Sequence, residues 1–220
     1  MIVVAAAVLS FVSRAGAKTA PAATSDAAPQ INLSVLKSQC VRYHDSGQYM
    51  RDIAAVDQQA AAYLEAHHAM KKPAIVLDID ETSISNWKVM RAYDFGYNAQ
   101  VWDRYFATHA AEPIPPTLKL YNEARRLHVA VFFVTGRSAA LRQATIHDLK
   151  TAGYSGWSGL YFAPQNYHKP TLAIFKTQAR KEIAAKGWHI VLNIGDQKSD
   201  LAGGYADRGF KLPNPMYIVP

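Results

Sequence analysis

Three apolar runs set the tightest limit on how this chain can fold. They are "AIVLDI" from Ala74, "VAVFFVTG" from Val129 and "WHIVLNIGD" from Trp188. Each is nearly continuous rather than alternating, which is the pattern of a strand buried on both faces. Between and around them lie amphipathic stretches. "TLKLYNEARRL" is opened by Pro115 and Pro116, "SAALRQATIHDLKTAG" is closed by Gly153, and "PTLAIFKTQARKEIAAKG" starts after Pro170 and ends at Gly187. "GLYFAP" reads as a short strand and "MYIV" as a last one. Buried strands alternating with amphipathic helices predict an α/β fold with a parallel sheet covered on both sides.

Ahead of this core, Leu33, Leu36, Cys40 and Tyr43 keep helical spacing. After the Ser46-Gly47 break, Tyr49, Ile53, Val56, Ala60, Tyr63 and Leu64 do the same. Two N-terminal helices packed on the core are expected. The 220 residues, 50% of them hydrophobic, suit one domain with extensions. A single cysteine, Cys40, excludes a disulfide within the chain and reads as a small core residue on the first helix. The net charge of +7 attracts anions, but the Lys and Arg are scattered, so no dedicated nucleic-acid surface is expected.

The first residues carry an apolar core from Ile2 to Val12 and an A-x-A site at Ala15-Gly16-Ala17. They read as a secretory signal, although no Lys or Arg precedes the core. The apolar run is too short to span a bilayer. The expectation is a signal peptide over 1–17 cleaved near Ala17, a flexible tether over 18–34, and a domain over 35–220. The mature chain would be exported, periplasmic or secreted, with no stable membrane insertion.

Chemistry collects where the strands end, the edge at which open parallel sheets bind ligands. The first run ends in Asp78-Ile79-Asp80, the second in Thr135-Gly136-Arg137, and the third in Gly195-Asp196 with Asp200 four residues on. With a side-chain period of two, Asp78 and Asp80 can face the same way, and Glu81 faces away. Two unit charges 4 Å apart repel by about 4 kcal/mol at an effective dielectric of 20. Carboxylates gathered on one rim, with no His or Cys cluster, suit a hard cation, and magnesium is the natural choice.

"DIDET", "FFVTGR", "FKTQAR" and "NIGDQKSDL" resemble, in order, the four motifs of the haloacid dehalogenase superfamily. The chain is most similar to its subfamily IIIB acid phosphatases, the branch with class B/C-like enzymes and vegetative storage proteins. "HDSGQYMRDIAAV", "WDRYF", "EPIPPTLKLYNEA" and "FKLPNPMYIVP" look like that branch too. The resemblance implies a Rossmann-like fold with a small helical cap between the first two motifs, over about 86–115. It implies a magnesium-dependent phosphomonoesterase acting on small phosphate esters, possible nucleotides among them. Asp78 would be the nucleophile that forms an aspartyl-phosphate, and Asp80 the general acid and base. Asp80 must start protonated, and its carboxylate neighbours are expected to raise its pKa, giving an acidic optimum. Thr135 and the amide of Gly136 would hold phosphoryl oxygens, and Lys176 would neutralise the phosphate. Lys176 fits the motif better than Lys169. The metal would be held by Asp78, the backbone carbonyl of Asp80, and Asp196, with Asp200 acting behind them or through water. Arg137 either contacts substrate or pairs with a carboxylate.

The aromatic stretch with Trp87, Tyr93, Phe95, Tyr97, Trp102, Tyr105 and Phe106 either packs a small cap or offers rings to a base or aryl group above the phosphate. The histidines show no metal spacing. Two other classes stand beside the phosphatase: a storage or binding protein on the same fold, and another superfamily enzyme such as a 5′-nucleotidase or phosphotransferase. The nucleophile Asp78 argues against the first, and Asp80 argues against a dehalogenase.

Overall fold

The computed structural model describes residues 31–108 and 111–219. The leader over 1–17 and most of the tether lie outside the described residues. Helices α1 (Leu33–Asp45) and α2 (Gln48–His67) precede strand β1 (Pro73–Leu77). Then come β2 (Ile84–Ser85), α3 (Trp87–Ala92), α4 (Ala99–Thr108), β3 (Glu112–Pro113) and α5 (Pro115–Arg126). Strand β4 (Ala130–Ser138), helix α6 (Arg142–Thr151), β5 (Gly159–Ala163), α7 (Leu172–Ala185), β6 (His189–Gly195), α8 (Lys198–Leu201) and β7 (Arg208–Lys211) complete the order. The main sheet runs β5-β4-β1-β6-β7 and every pairing is parallel.

The continuous apolar runs fill both faces of this sheet. Ile75 and Leu77 of β1 point into a core with Val131 and Phe133 of β4, Ile53 and Leu64 of α2, Leu120 of α5 and Leu149 of α6. Ala74 and Val76 point the other way, against Phe132, Val134, and Ala179 and Ile183 of α7. Truncating a residue as enclosed as Phe133 to Ala costs about 3–5 kcal/mol in such cores. Because β1 is central, its end is flanked by the ends of β4 and β6, and the three polar motifs meet there.

Four expectations are corrected. Residues 216–219, read as a strand, form none; the edge strand is β7, because the Arg208–Lys211 backbone pairs with Leu192–Gly195 and ends the sheet there. Helix α1 buries no residue, and Leu33 and Val35 are exposed, since α1 lies outside α2 and only its end, around Tyr43, reaches the core. Cys40 is accordingly half-buried rather than a core residue, with its thiol 3.4 Å from the carbonyl of Pro215. Helix α1 also begins at Leu33, inside the stretch read as tether.

The chain between β1 and α5 leaves and returns through a narrow neck. Strands β2 and β3 pair Ile84 with Pro113 and Ser85 with Glu112, and the amide of Ile114 donates to Ser83 O at 3.0 Å. Beyond the neck lie α3 and α4. Trp87 stacks on His44 of α1 with ring centroids 3.7 Å apart, and Lys37 of α1 meets Asp94 at 2.5 Å.

Candidate active site

The carboxylates that follow β1 stand in a turn, not in the strand. Asp78 still donates its amide to Ile194 O of β6 at 3.0 Å, but the carbonyl of Ile79 then accepts the amides of Thr82, Ser83 and Ile84. Glu81 takes a left-handed backbone conformation, φ 53°. The turn, rather than strand alternation, therefore aims Asp78 and Asp80. On the next strand the pairing of β4 with β5 shifts register between Thr135 and Ser138, which turns Gly136 and Arg137 toward the same rim. At the end of β6, Gly195 is required by space: a Cβ there would lie 2.2 Å from Asp200 Oδ2.

Asp78, Asp80, Gly136, Arg137, Lys176 and Asp196 line one cavity of about 510 Å³. Thr135 and Asp200 are buried just beneath, and Lys169 is exposed on the loop before α7. The acids fall into two groups. In the first, Asp78, Asp196 and Asp200 are buried, and one carboxylate oxygen of each lies within 4.8 Å of the others. Lys176 Nζ sits 2.7 Å from Asp78 Oδ1 and also donates to Asp200 Oδ1. Asp196 is held by neutral donors: Thr82 Oγ1 at 3.1 Å, Gln197 Nε2 at 2.5 Å and Asn214 Nδ2 at 2.7 Å. Burial, with the charge of Asp200 added, pushes the Asp78 carboxyl well above its ordinary value despite Lys176. Burial and Asp200 push Asp196 up as well. Arg180 of α7 steadies this loop from behind, donating to the carbonyls of Asp200, Ala202 and Gly204.

In the second group, the Arg137 guanidinium faces Asp80 through Nε and Nη2, at 2.7 to 3.1 Å, and Asp148 of α6 through Nη1 at 2.7 Å. Phe106 of α4 covers it, with the ring centroid 3.9 Å from Arg137 Cζ. Asn86 Nδ2 adds a bond of 2.8 Å to Asp80 Oδ1. Burial alone would raise Asp80, but the charge and hydrogen bonds of Arg137, with those of Asn86, hold it below the usual carboxylate value. This corrects the expectation that its acidic neighbours raise it. Of the two readings of Arg137, the side chain adopts carboxylate pairing.

Glu81 shares Asn86 with Asp80, since Asn86 Nδ2 also donates to Glu81 Oε2 at 3.3 Å. It accepts Asn86 N at 2.6 Å and the Tyr217 hydroxyl at 2.5 Å, and burial with the charge of Asp80 pushes it up to about 8. The aromatics do not form a sealed core. Helix α4 buries no residue, Tyr97 is 79% exposed, and Phe95, Tyr97, Trp102 and Phe106 line the cavity wall opposite the acids. Sequence reading did not single out Asn86, Asp148, Asn214 or Tyr217. Asn86 closes the first motif's own turn and could have been found there; the others meet the site only through folding.

A family model for the HAD superfamily, subfamily IIIB (acid phosphatase), matches residues 6–220. The chain is 34% identical over 194 residues to the stem 28 kDa glycoprotein of Glycine max, covering 84% of this chain and 76% of that one. It is 32% identical over 177 residues to acid phosphatase 1 of Solanum lycopersicum, covering 78% and 69%. Among solved structures, the class C acid phosphatase from Bacillus anthracis with tungstate bound shares the fold. Its TM-score is 0.68 at 22% identity, covering 84% of this chain and 87% of that one. Four ordered motifs, a parallel sheet that gathers them and these matches together place the chain in the haloacid dehalogenase superfamily, among the subfamily IIIB acid phosphatases.

Proposed function

We propose that the protein is a metal-dependent phosphomonoesterase acting through an aspartyl-phosphate on Asp78. The observation that carries this reading is the seat of Asp78: buried at the floor of the cavity, 2.7 Å from Lys176, and clustered with Asp196 and Asp200. An all-oxygen, buried donor set fits a hard divalent cation, and magnesium is the proposed one, held by Asp78, Asp196 and the carbonyl of Asp80 with Asp200 behind. When bound, the ion would neutralise negative charge shared by the acids and a phosphate dianion.

Asp78 attacks phosphorus and displaces the alcohol, forming a mixed anhydride that water then hydrolyses. Lys176 stays protonated, because Asp78 and Asp200 outweigh its burial, so it offsets the phosphate charge. Thr135 and the Gly136 amide are the proposed phosphoryl-oxygen donors. Thr135 Oγ1 accepts the Arg137 amide at 3.0 Å, which leaves its hydroxyl hydrogen to point elsewhere. Asp80 gives its proton to the leaving oxygen and later takes one from water. Arg137 holds the Asp80 pKa low, so little of its acid form exists near neutrality and turnover should rise as pH falls. Arg137 acts by holding Asp80 rather than by touching substrate.

Small phosphate esters with a flat leaving group suit the aromatic wall, nucleotides among them. Export belongs to the same proposal: the apolar core Ile2–Val12 reads as a leader, and no helix among the described residues is long and apolar enough to cross a membrane. The test is p-nitrophenyl phosphate hydrolysis from pH 4.5 to 8, with magnesium and with EDTA. Asp78→Asn should lower turnover more than about 1000-fold. A folded Asp78→Asn with parent-level turnover refutes the nucleophile, and a folded parent with no turnover at any pH favours a storage or binding role.

A further inference from the structure

The segment after β7 crosses the mouth of the cavity. Leu212 donates its amide to Gly195 O at 2.9 Å, which brings Asn214 over the end of β6. The Asn214 side chain then works in two directions. Its Nδ2 donates to Asp196 Oδ2 at 2.7 Å, and its Oδ1 accepts the amides of Met216 at 2.8 Å and Tyr217 at 3.4 Å. One amide group thus ties an acid of the site to the turn that seats the cavity wall. The far side of that wall is fixed by Tyr217 on Glu81, at 2.5 Å, and by Val219, whose amide reaches Gln197 Oε1 at 3.0 Å.

Asp196 is the acid of its group that Lys176 does not touch, so its orientation depends on neutral donors. Oδ2 accepts two side-chain amides, from Gln197 and Asn214, while Oδ1 accepts one hydroxyl, from Thr82. Oδ1 is therefore the oxygen with room for a cation. Without Asn214, Oδ2 keeps Gln197 as its one side-chain donor, and the carboxylate is held less firmly.

We infer that Asn214 is a positioning residue for cation binding: it locks the Asp196 carboxylate with Oδ1 toward Asp78 and Asp200. This rests on the reading of those acids as a divalent-cation site. Donors behind a ligand of this kind are worth about 10- to 100-fold in metal affinity. The test uses Mn²⁺ as the probe, with free ion measured by electron paramagnetic resonance and folding by urea denaturation. Asn214→Ser keeps a side-chain oxygen for the Met216 amide but is too short to reach Asp196. It should weaken Mn²⁺ binding about tenfold with an unfolding midpoint close to the parent's. Ser199→Ala loosens the same segment at Val219 O, 3.3 Å away, without touching Asp196. It should stay within about twofold of the parent, since it removes no donor to a ligand. Parent-like affinity in a folded Asn214→Ser, or an equal loss in Ser199→Ala, overturns the inference. A parent that binds no Mn²⁺ overturns the cation reading beneath it.

Discussion

The two groups of acids at the site diverge from the turn after β1 and solve charge differently. Around Asp80, one guanidinium meets two carboxylates with directed bonds, and the Asp80 carboxyl is held low. Around Asp78, one ammonium reaches two of three carboxylates, and the Asp78 carboxyl is pushed high. A planar fork directs its bonds to two partners at once, whereas an ammonium is a point charge. The first group is one positive charge short, and burial pushes Asp148 up. The second is two positive charges short, and that larger deficit is what a divalent cation can offset.

Removing each cation in turn breaks the comparison most sharply. Lys176→Met leaves three buried acids with no internal cation and should cost about 4 kcal/mol in EDTA, with part of the loss restored by magnesium. Arg137→Met should cost about 3 kcal/mol, and magnesium should restore none of it, because the stranded acids are Asp80 and Asp148 rather than the cluster. Urea unfolding with and without the metal separates the two; equal metal rescue in both variants would erase the distinction.

A buried acid outside both groups sharpens the contrast: among the described residues, Asp57 has no ion-pair partner. Asp57 of α2 accepts Thr117 Oγ1 at 2.8 Å, its Oδ1 has no hydrogen-bond partner, and burial pushes its pKa up to about 7. The folded state then holds a proton that the unfolded chain has released. Asp57 therefore makes stability fall as pH rises from its unfolded value toward about 7, and the loss is complete above that. Asp57→Asn should flatten that slope and stabilise the protein by about 2 kcal/mol at pH 8. A thermal unfolding series from pH 5 to 8 that runs parallel in parent and variant would refute this.

The smallest effect tests the lid on the Arg137 group. Phe106→Leu removes the ring over Arg137 and should cost about 1 kcal/mol of stability and lower kcat several-fold, leaving Mn²⁺ affinity unchanged. A change in Mn²⁺ affinity would show that the two groups are coupled through α4.

The sheet and its motif order were legible because a continuous apolar run admits few alternatives once helices separate it from the next. The acids were legible because each followed such a run directly. Arg137 was ambiguous for a plain reason: Asp148, its second partner, stands eleven residues on in the middle of a helix. The direction of the Asp80 pKa was misjudged for the same reason, since proximity in sequence counts the acids and misses the base that folding supplies. "MYIV" has strand composition, but its backbone is taken up by Asn214 and Gln197 side chains. Local propensity cannot weigh that competition.

The neck formed by β2 and β3 has a consequence for descent. Two residue pairs and one further amide make the neck of the excursion from Asn86 to Ala111, while Trp87 on His44, Asn86 on Asp80 and Phe106 on Arg137 tie it down beyond the neck; the five-stranded sheet beneath is complete without it. Such a join behaves like a socket: under the proposed function, the outer part of α3 and α4 can be lengthened or trimmed by mutation without touching the sheet, provided Asn86 and Phe106, which reach Asp80 and Arg137, are kept.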